Sequence, residues 1–132
     1  MLQFRKAIMS DAENLHSLIN EFAGKGYMLP RSRNAIYENI REFTVITDDG
    51  QFVGCGALHI IWDDLAEIRA LAIKQEYQGQ SLGQKLIAEL LHEAHALGIH
   101  KVFALTYQVA FFKKSGFHEV TKEEMPPKVW KE

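Results

Sequence analysis

The sequence predicts an α/β fold with a mixed central sheet flanked by helices, and three observations carry that prediction. Strand-like stretches alternate with runs of helical spacing along the chain. The turn Asp48-Asp49-Gly50 joins two of those strands into a hairpin. Leu65 to Ile73 is mostly apolar, as a central strand covered on both faces must be.

Taken in order, Gln3 to Ile8 alternates like a strand, and Ser10-Asp11-Ala12-Glu13 reads as a capping box opening a helix. Ala12, Leu15, Leu18, Ile19 and Phe22 give that helix its apolar stripe, and Gly24-Lys25-Gly26 ends it. After the loop Tyr27-Met28-Leu29-Pro30-Arg31-Ser32, Pro30 marks the start of a short helix carrying Ile36 and Ile40. Phe43 to Thr47 and Phe52 to Trp62 form the hairpin, and Leu65 to Ile73 the strand after it. Leu82, Leu86, Ile87, Leu90, Leu91 and Ala94 share one helical face, and Gly98 stops the helix. Lys101 to Thr106 reads as a strand, Ala110 to Lys114 as a short helix and Phe117 to Val120 as a last strand. The expected order is β-α-α-β-β-β-α-β-α-β, in a single domain over residues 1–132.

Composition narrows the function classes. The 132 residues are 47% hydrophobic with a formal charge of −2, enough for one core. Basic residues are dispersed, so no footprint for nucleic acid or an anionic membrane emerges, and neither is expected as a partner. With no long apolar run and no charged-then-apolar leader, the chain is read as cytoplasmic. Cys55 is the one cysteine, which leaves no internal disulfide and no thiolate metal cluster; between Gly54 and Gly56 it reads as a small buried residue. His92-Glu93-Ala94-His95 has the wrong spacing for a zinc helix, and no metal is expected. Met28, Trp62 and Trp130 read as packing residues, and Pro126-Pro127 orients the C-terminal segment.

The stretch Glu76-Tyr77-Gln78-Gly79-Gln80-Ser81-Leu82-Gly83-Gln84-Lys85-Leu86 separates the apolar strand from the long helix. Backbone N–H groups at a helix start suit a phosphate, though the same glycines also serve plain turn geometry. The stretch matches neither the Walker loop nor the dinucleotide fingerprint. Gln78-x-x-Ser81-x-Gly83 does resemble the (Gln/Arg)-x-x-Gly-x-(Gly/Ala) loop of the GNAT acyltransferase superfamily. Ala66-Glu67-Ile68 with Leu71-Ala72-Ile73, and Phe111-Phe112-Lys113-Lys114-Ser115-Gly116-Phe117, resemble two further GNAT segments. With MLPRS, GALH, LT and the late EEMPPKVW, the chain is similar to the acetyltransferase domain of N-acetylglutamate synthases and their short stand-alone relatives.

That resemblance implies an acetyl-CoA-dependent N-acetyltransferase acting on a small-molecule amine, most simply an amino acid such as glutamate. The alternatives are a protein N-terminus or another amine metabolite as acceptor, or a non-catalytic CoA-binding regulatory domain; a homodimer is left open. Gln78, Gly79, Gln80, Ser81, Leu82, Gly83 and Gln84 would hold the diphosphate. Leu71, Ala72 and Ile73 would line the pantetheine, a backbone N–H near Leu71 holding the oxyanion. Acetyl-CoA would lie in a gap between the Leu65–Ile73 and Lys101–Thr106 strands, with Phe112 beside it.

Ser81 replaces the usual glycine, where it is expected to cap the helix. Phe112 replaces the tyrosine that in many members protonates the leaving thiolate. A thiol of pKa about 8.5 leaves at neutral pH at a cost of about 2 kcal/mol, so that loss is tolerable. Tyr107 is an alternative donor, or an aromatic packed at a strand end. The amine needs a base, and Glu67, on an apolar strand, is the candidate; its competing role is an ion pair with Arg69. Arg31 and Arg33, in the loop over the implied acceptor pocket, and Arg69 are the candidates for substrate carboxylates, the competing role of the loop pair being solvated helix-start charges.

Overall fold

Alternation and one Asp-Gly turn build most of the sheet. The computed structural model describes residues 1–106 and 108–121. Its strands are β1 (Leu2–Lys6), β2 (Phe43–Asp48), β3 (Gln51–Trp62), β4 (Leu65–Ile73) and β5 (Lys101–Phe103). They lie in the order β1-β2-β3-β4-β5, antiparallel as far as β4, with β5 parallel to it. The β2–β3 turn works as its sequence demands, with Asp49 at φ 49° and Gly50 at φ 83°, the two positive values of a tight hairpin. The helices are α1 (Ala12–Gly24), α2 (Arg33–Glu38), α3 (Leu82–Ala96) and α4 (Val109–Lys114).

Each sheet face has its own core. On one side Leu15, Leu18, Ile19 and Ile36 of α1 and α2 pack on Phe43, Val45, Cys55, Ala57 and Ala72. On the other, Leu82, Leu86, Ile87, Leu90 and Ala94 of α3 and Phe112 of α4 pack on Ile46, Val53, Leu58, Ile68 and Ile73. Met28 packs against the first core as expected, whereas Trp62 is 56% exposed and is not a core packing residue. Cys55 is fully buried, and burial pushes its thiol up to about 12, so it is an inert packing residue. Among the described residues no helix is long and apolar enough to cross a membrane.

Five local expectations are corrected. The box at Ser10–Glu13 does not form: a 3-10 turn at Met9–Asp11 precedes α1, and the Asp11 carboxylate accepts from Ile8 N (2.8 Å) and from Arg5 Nη1 and Nη2 (2.8 and 3.0 Å). The second helix begins at Arg33 rather than Pro30, because Ser32 Oγ accepts from Ala35 N (3.1 Å) and is the better cap. Ile40 then falls in a 3-10 turn, Ile40–Glu42. β5 stops at Phe103, short of Thr106, and Phe117–Val120 carries no strand pairing.

Asp11 ties β1 to the start of α1, and two parallel bonds from a guanidinium to a buried carboxylate are the strong form of such a contact. Arg5 holds the Asp11 carboxyl below its usual range, with the Ile8 N–H acting in the same direction. A lowered folded value means the stabilisation is fully present above the unfolded value of about 3.9 and is lost as pH falls through the folded one. Asp11→Asn is expected to cost about 2 kcal/mol at pH 7. In denaturant titrations its difference from the wild type should shrink when the pH is taken below that window.

Candidate active site

β4 determines the site through one irregularity. Read as a plain alternation, Glu67, Arg69, Leu71 and Ile73 would share a face, mixing two charges with two large apolar side chains. The register shifts instead: Ala57 pairs with Arg69 but Cys55 with Ala72, so Ala70 and Leu71 together oppose Gly56. Ala70 takes the left-handed φ of 53°, which is costly without a glycine and bends the strand. Beyond this bulge Leu71 and Ile73 turn to the α3 core, while Glu67 and Arg69 face the α1–α2 side. Gly56 makes the switch possible, since a Cβ there would lie 2.9 Å from Leu71 Cδ1 and 3.2 Å from Leu86 and Leu90. The bulge re-aims the β4 backbone beside Leu71, where the oxyanion donor is expected.

The strand beside it opens there. β5 pairs with β4 only from Leu65 to Glu67, against Lys101 to Phe103, so Ile68–Ile73 runs on without that neighbour. The early end of β5 thus leaves the β4 backbone free along the stretch assigned to pantetheine.

Past β4, Gln78 turns its side chain back, Nε2 donating to Ile73 O at 3.0 Å, and so anchors the loop to the strand end. Gly79 has φ 86° with open space where a side chain would start, and Ser81 has φ 63°. In that conformation Ser81 makes no side-chain cap hydrogen bond, contrary to the expectation for it; a capping serine needs extended backbone angles. The first N–H groups of α3 are therefore left for a ligand, and with the helix dipole they suit a diphosphate. Gln80 is exposed and Gln84 half-exposed beside them, while the Leu82 side chain is buried, so only its backbone is available. Gly83 faces the protein: a Cβ there would come within 2.7 Å of the Phe111 ring. Ser81→Gly is expected to stabilise the fold by about 1 kcal/mol by relieving the left-handed strain. CoA affinity should be kept or improved, with melting temperature and calorimetric titration as the readouts.

On the other face Glu67 is buried at 7% exposure, and Arg69 Nε donates to its Oε1 at 2.7 Å. The ion pair read as the competing role is thus formed. Arg31 is half-buried, its guanidinium carbon 5.5 Å from the centre of the Phe43 ring. Burial lowers its pKa and the neighbouring Arg69 charge lowers it further, with Glu42, Cys55 and Glu67 acting in the opposite direction. Among the described residues Arg31 has no carboxylate ion-pair partner. Arg33 is placed differently: it is exposed, and its Nε donates to both oxygens of Glu13 (3.1 and 2.9 Å). Phe112 lies in the α3 core at 8% exposure, its ring edge-on to Phe111 and Phe117 at 5.4 and 5.3 Å. Tyr107 lies outside the described residues, as do Pro126, Pro127 and Trp130.

Three contributors were not singled out by the sequence pattern, although His59 closes the segment GALH. Asn20 of α1 clamps the backbone on both sides of Arg31, donating to its carbonyl (2.9 Å) and accepting from its N–H (3.2 Å). His59 and Glu42 meet at 2.6 Å on the same side of the sheet as Glu67. All three are polar residues brought together by tertiary packing.

The comparisons with known proteins agree with this fold. The model of the acetyltransferase (GNAT) family matches residues 11–117. The chain belongs to the GNAT acetyltransferase family. As a GNAT enzyme it draws on acetyl-CoA as donor. It is 37% identical to an uncharacterized N-acetyltransferase of Chlorobaculum tepidum, over 97% of this chain and 83% of that one. It is 35% identical to the amino-acid acetyltransferase of Mycobacterium tuberculosis, over 97% and 75%. Among solved GNAT structures, the N-acetylglutamate synthase of Neisseria gonorrhoeae complexed with coenzyme A and N-acetyl-glutamate superposes with a TM-score of 0.90 at 30% identity. That match covers 96% of this chain but 30% of the synthase.

Proposed function

We propose that this protein transfers the acetyl group of acetyl-CoA to the α-amine of an amino acid, with glutamate as the first acceptor to test. The observation that carries the reading is Arg31, a half-buried guanidinium without a carboxylate partner among the described residues, beside Arg69 and within the field of Glu67. A cation held out of water next to another cation gains from an anion, and a carboxylate fits the guanidinium fork. Relatives named amino-acid acetyltransferase support the assignment.

In this reading acetyl-CoA supplies an activated thioester. Arg31 orients the acceptor by its carboxylate, with Asn20 holding the loop that carries it. Arg69 engages Glu67 Oε1, so Oε2 takes the proton from the ammonium and frees the lone pair that attacks. A β4 backbone N–H beside the bulge receives the developing oxyanion. Phe112 has no proton to give, and the thiolate departs without it at the modest cost of a thiol near neutrality. Arg33, paired with Glu13 at the surface, holds the start of α2.

The test is steady-state acetyl-CoA turnover with a panel of amino acids, their amides and simple amines. The reading expects turnover confined to acceptors with a free α-carboxylate. Equal rates for amines lacking one would overturn it, and no turnover at all would favour a CoA-binding regulatory domain.

A further inference from the structure

A buried base must also be emptied. Glu67, with its side chain 9% exposed, has to return each proton it takes to water before the next acceptor arrives. The β3–β4 register places His59 directly opposite Glu67. Residues opposed in an antiparallel pair share a face, with Cβ atoms about 4.5–5.5 Å apart. The His59 side chain is 30% exposed, so it reaches from beside Glu67 towards solvent. Its Nδ1 lies 2.6 Å from Glu42 Oε2. An ionised carboxylate only accepts, so this contact puts the ring hydrogen on Nδ1 and leaves Nε2 as the acceptor.

We propose that His59, oriented by Glu42, relays the acceptor's proton from Glu67 to solvent. The inference rests on the reading of Glu67 as base. The acceptor N–H bond breaks as an O–H bond forms on Glu67; that proton passes through a bridging water to His59 Nε2 and from there to bulk water or buffer, restoring both groups. Imidazole is the side chain that gains and loses a proton near neutral pH, which suits a relay better than any other type. The charged groups about the path are Glu42 from the 3-10 turn, Glu67 and Arg69 from β4, and Arg31 from the loop before α2. His59 acts through Glu67 and is a positioning and relay residue, distinct from the acceptor's own contacts.

The experiment measures kcat and both KM values for His59→Ala and His59→Asn, with the fastest acceptor of the amino-acid panel, in the presence and absence of added imidazole. Glu67→Gln is run alongside, and thermal melts verify that each variant is folded. The relay predicts a fall in kcat of about tenfold or more with KM values within twofold of wild type, and saturable recovery with imidazole. Wild-type kcat in either folded variant overturns it. So does a loss that raises the acceptor KM and ignores imidazole, which would make His59 a substrate contact. Should Glu67→Gln retain turnover, the base assignment fails; should Glu67→Gln lose it while the His59 variants keep it, only the relay fails.

Discussion

Glu67→Gln is expected to lower kcat by about 10²-fold or more while leaving acetyl-CoA affinity unchanged. The substitution keeps the shape of the side chain and its capacity to accept from Arg69 Nε through the amide oxygen, but removes the proton acceptor. An α-ammonium is largely protonated at neutral pH, so without a base only the small free-amine fraction reacts. The loss should therefore shrink as the pH is raised and the amine deprotonates in solution. Wild-type turnover from pH 6 to 9 would place the base elsewhere.

Arg31→Ala is expected to raise the acceptor KM by about 10- to 100-fold, the worth of a charge-assisted hydrogen bond of about 1.5–3 kcal/mol. Acetyl-CoA KM should not move, because Arg31 is not among the residues assigned to the donor. Arg31→Lys should recover part of the loss, since it restores charge without the planar fork. Arg33→Ala serves as the contrast: its guanidinium is spent on Glu13 at the surface, so the acceptor KM should stay near wild type. Comparing glutamate with its diamide in these variants separates carboxylate recognition from general weakening. Equal use of the diamide by the wild type, or an unchanged KM in Arg31→Ala, would point to a neutral or cationic acceptor.

Much of the fold was legible because period and turn chemistry act locally. The bounds of β4, the apolar face of α3 and the Asp49-Gly50 turn follow from residues within a few positions of one another. The misses depend on which groups meet, not on the periodicity of the pattern. The pattern Ser10-Asp11-Ala12-Glu13 fits a capping box, but it says nothing of Arg5, whose guanidinium claims the Asp11 carboxylate together with the Ile8 N–H while a 3-10 turn forms ahead of α1. The missing strand at Phe117–Val120 and the shortened β5 depend on pairing partners, which no local pattern specifies. In the site, the loop and Glu67 could be picked out from the residue types and the resemblance they carry, whereas the distinction between Arg31 and Arg33 could not. Both follow Pro30 in similar company, and only packing decides that one is taken under Asn20 and over Phe43 while the other meets Glu13. The bulge did leave a trace: Glu67, Arg69, Leu71 and Ile73 alternate in one phase yet mix charges with large apolar side chains, and a change of phase at Ala70 removes that conflict.

A crystal structure of the ternary complex with CoA and the N-acetyl product of the fastest acceptor tests the central claim most directly. The account predicts the product carboxylate on the Arg31 guanidinium and its amide nitrogen within hydrogen-bond reach of Glu67. The CoA diphosphate should lie on the backbone N–H groups of residues 79–83, with its pantetheine along β4 past the end of β5. A product bound away from Arg31 and Glu67, or a diphosphate seated elsewhere than on the start of α3, would contradict it.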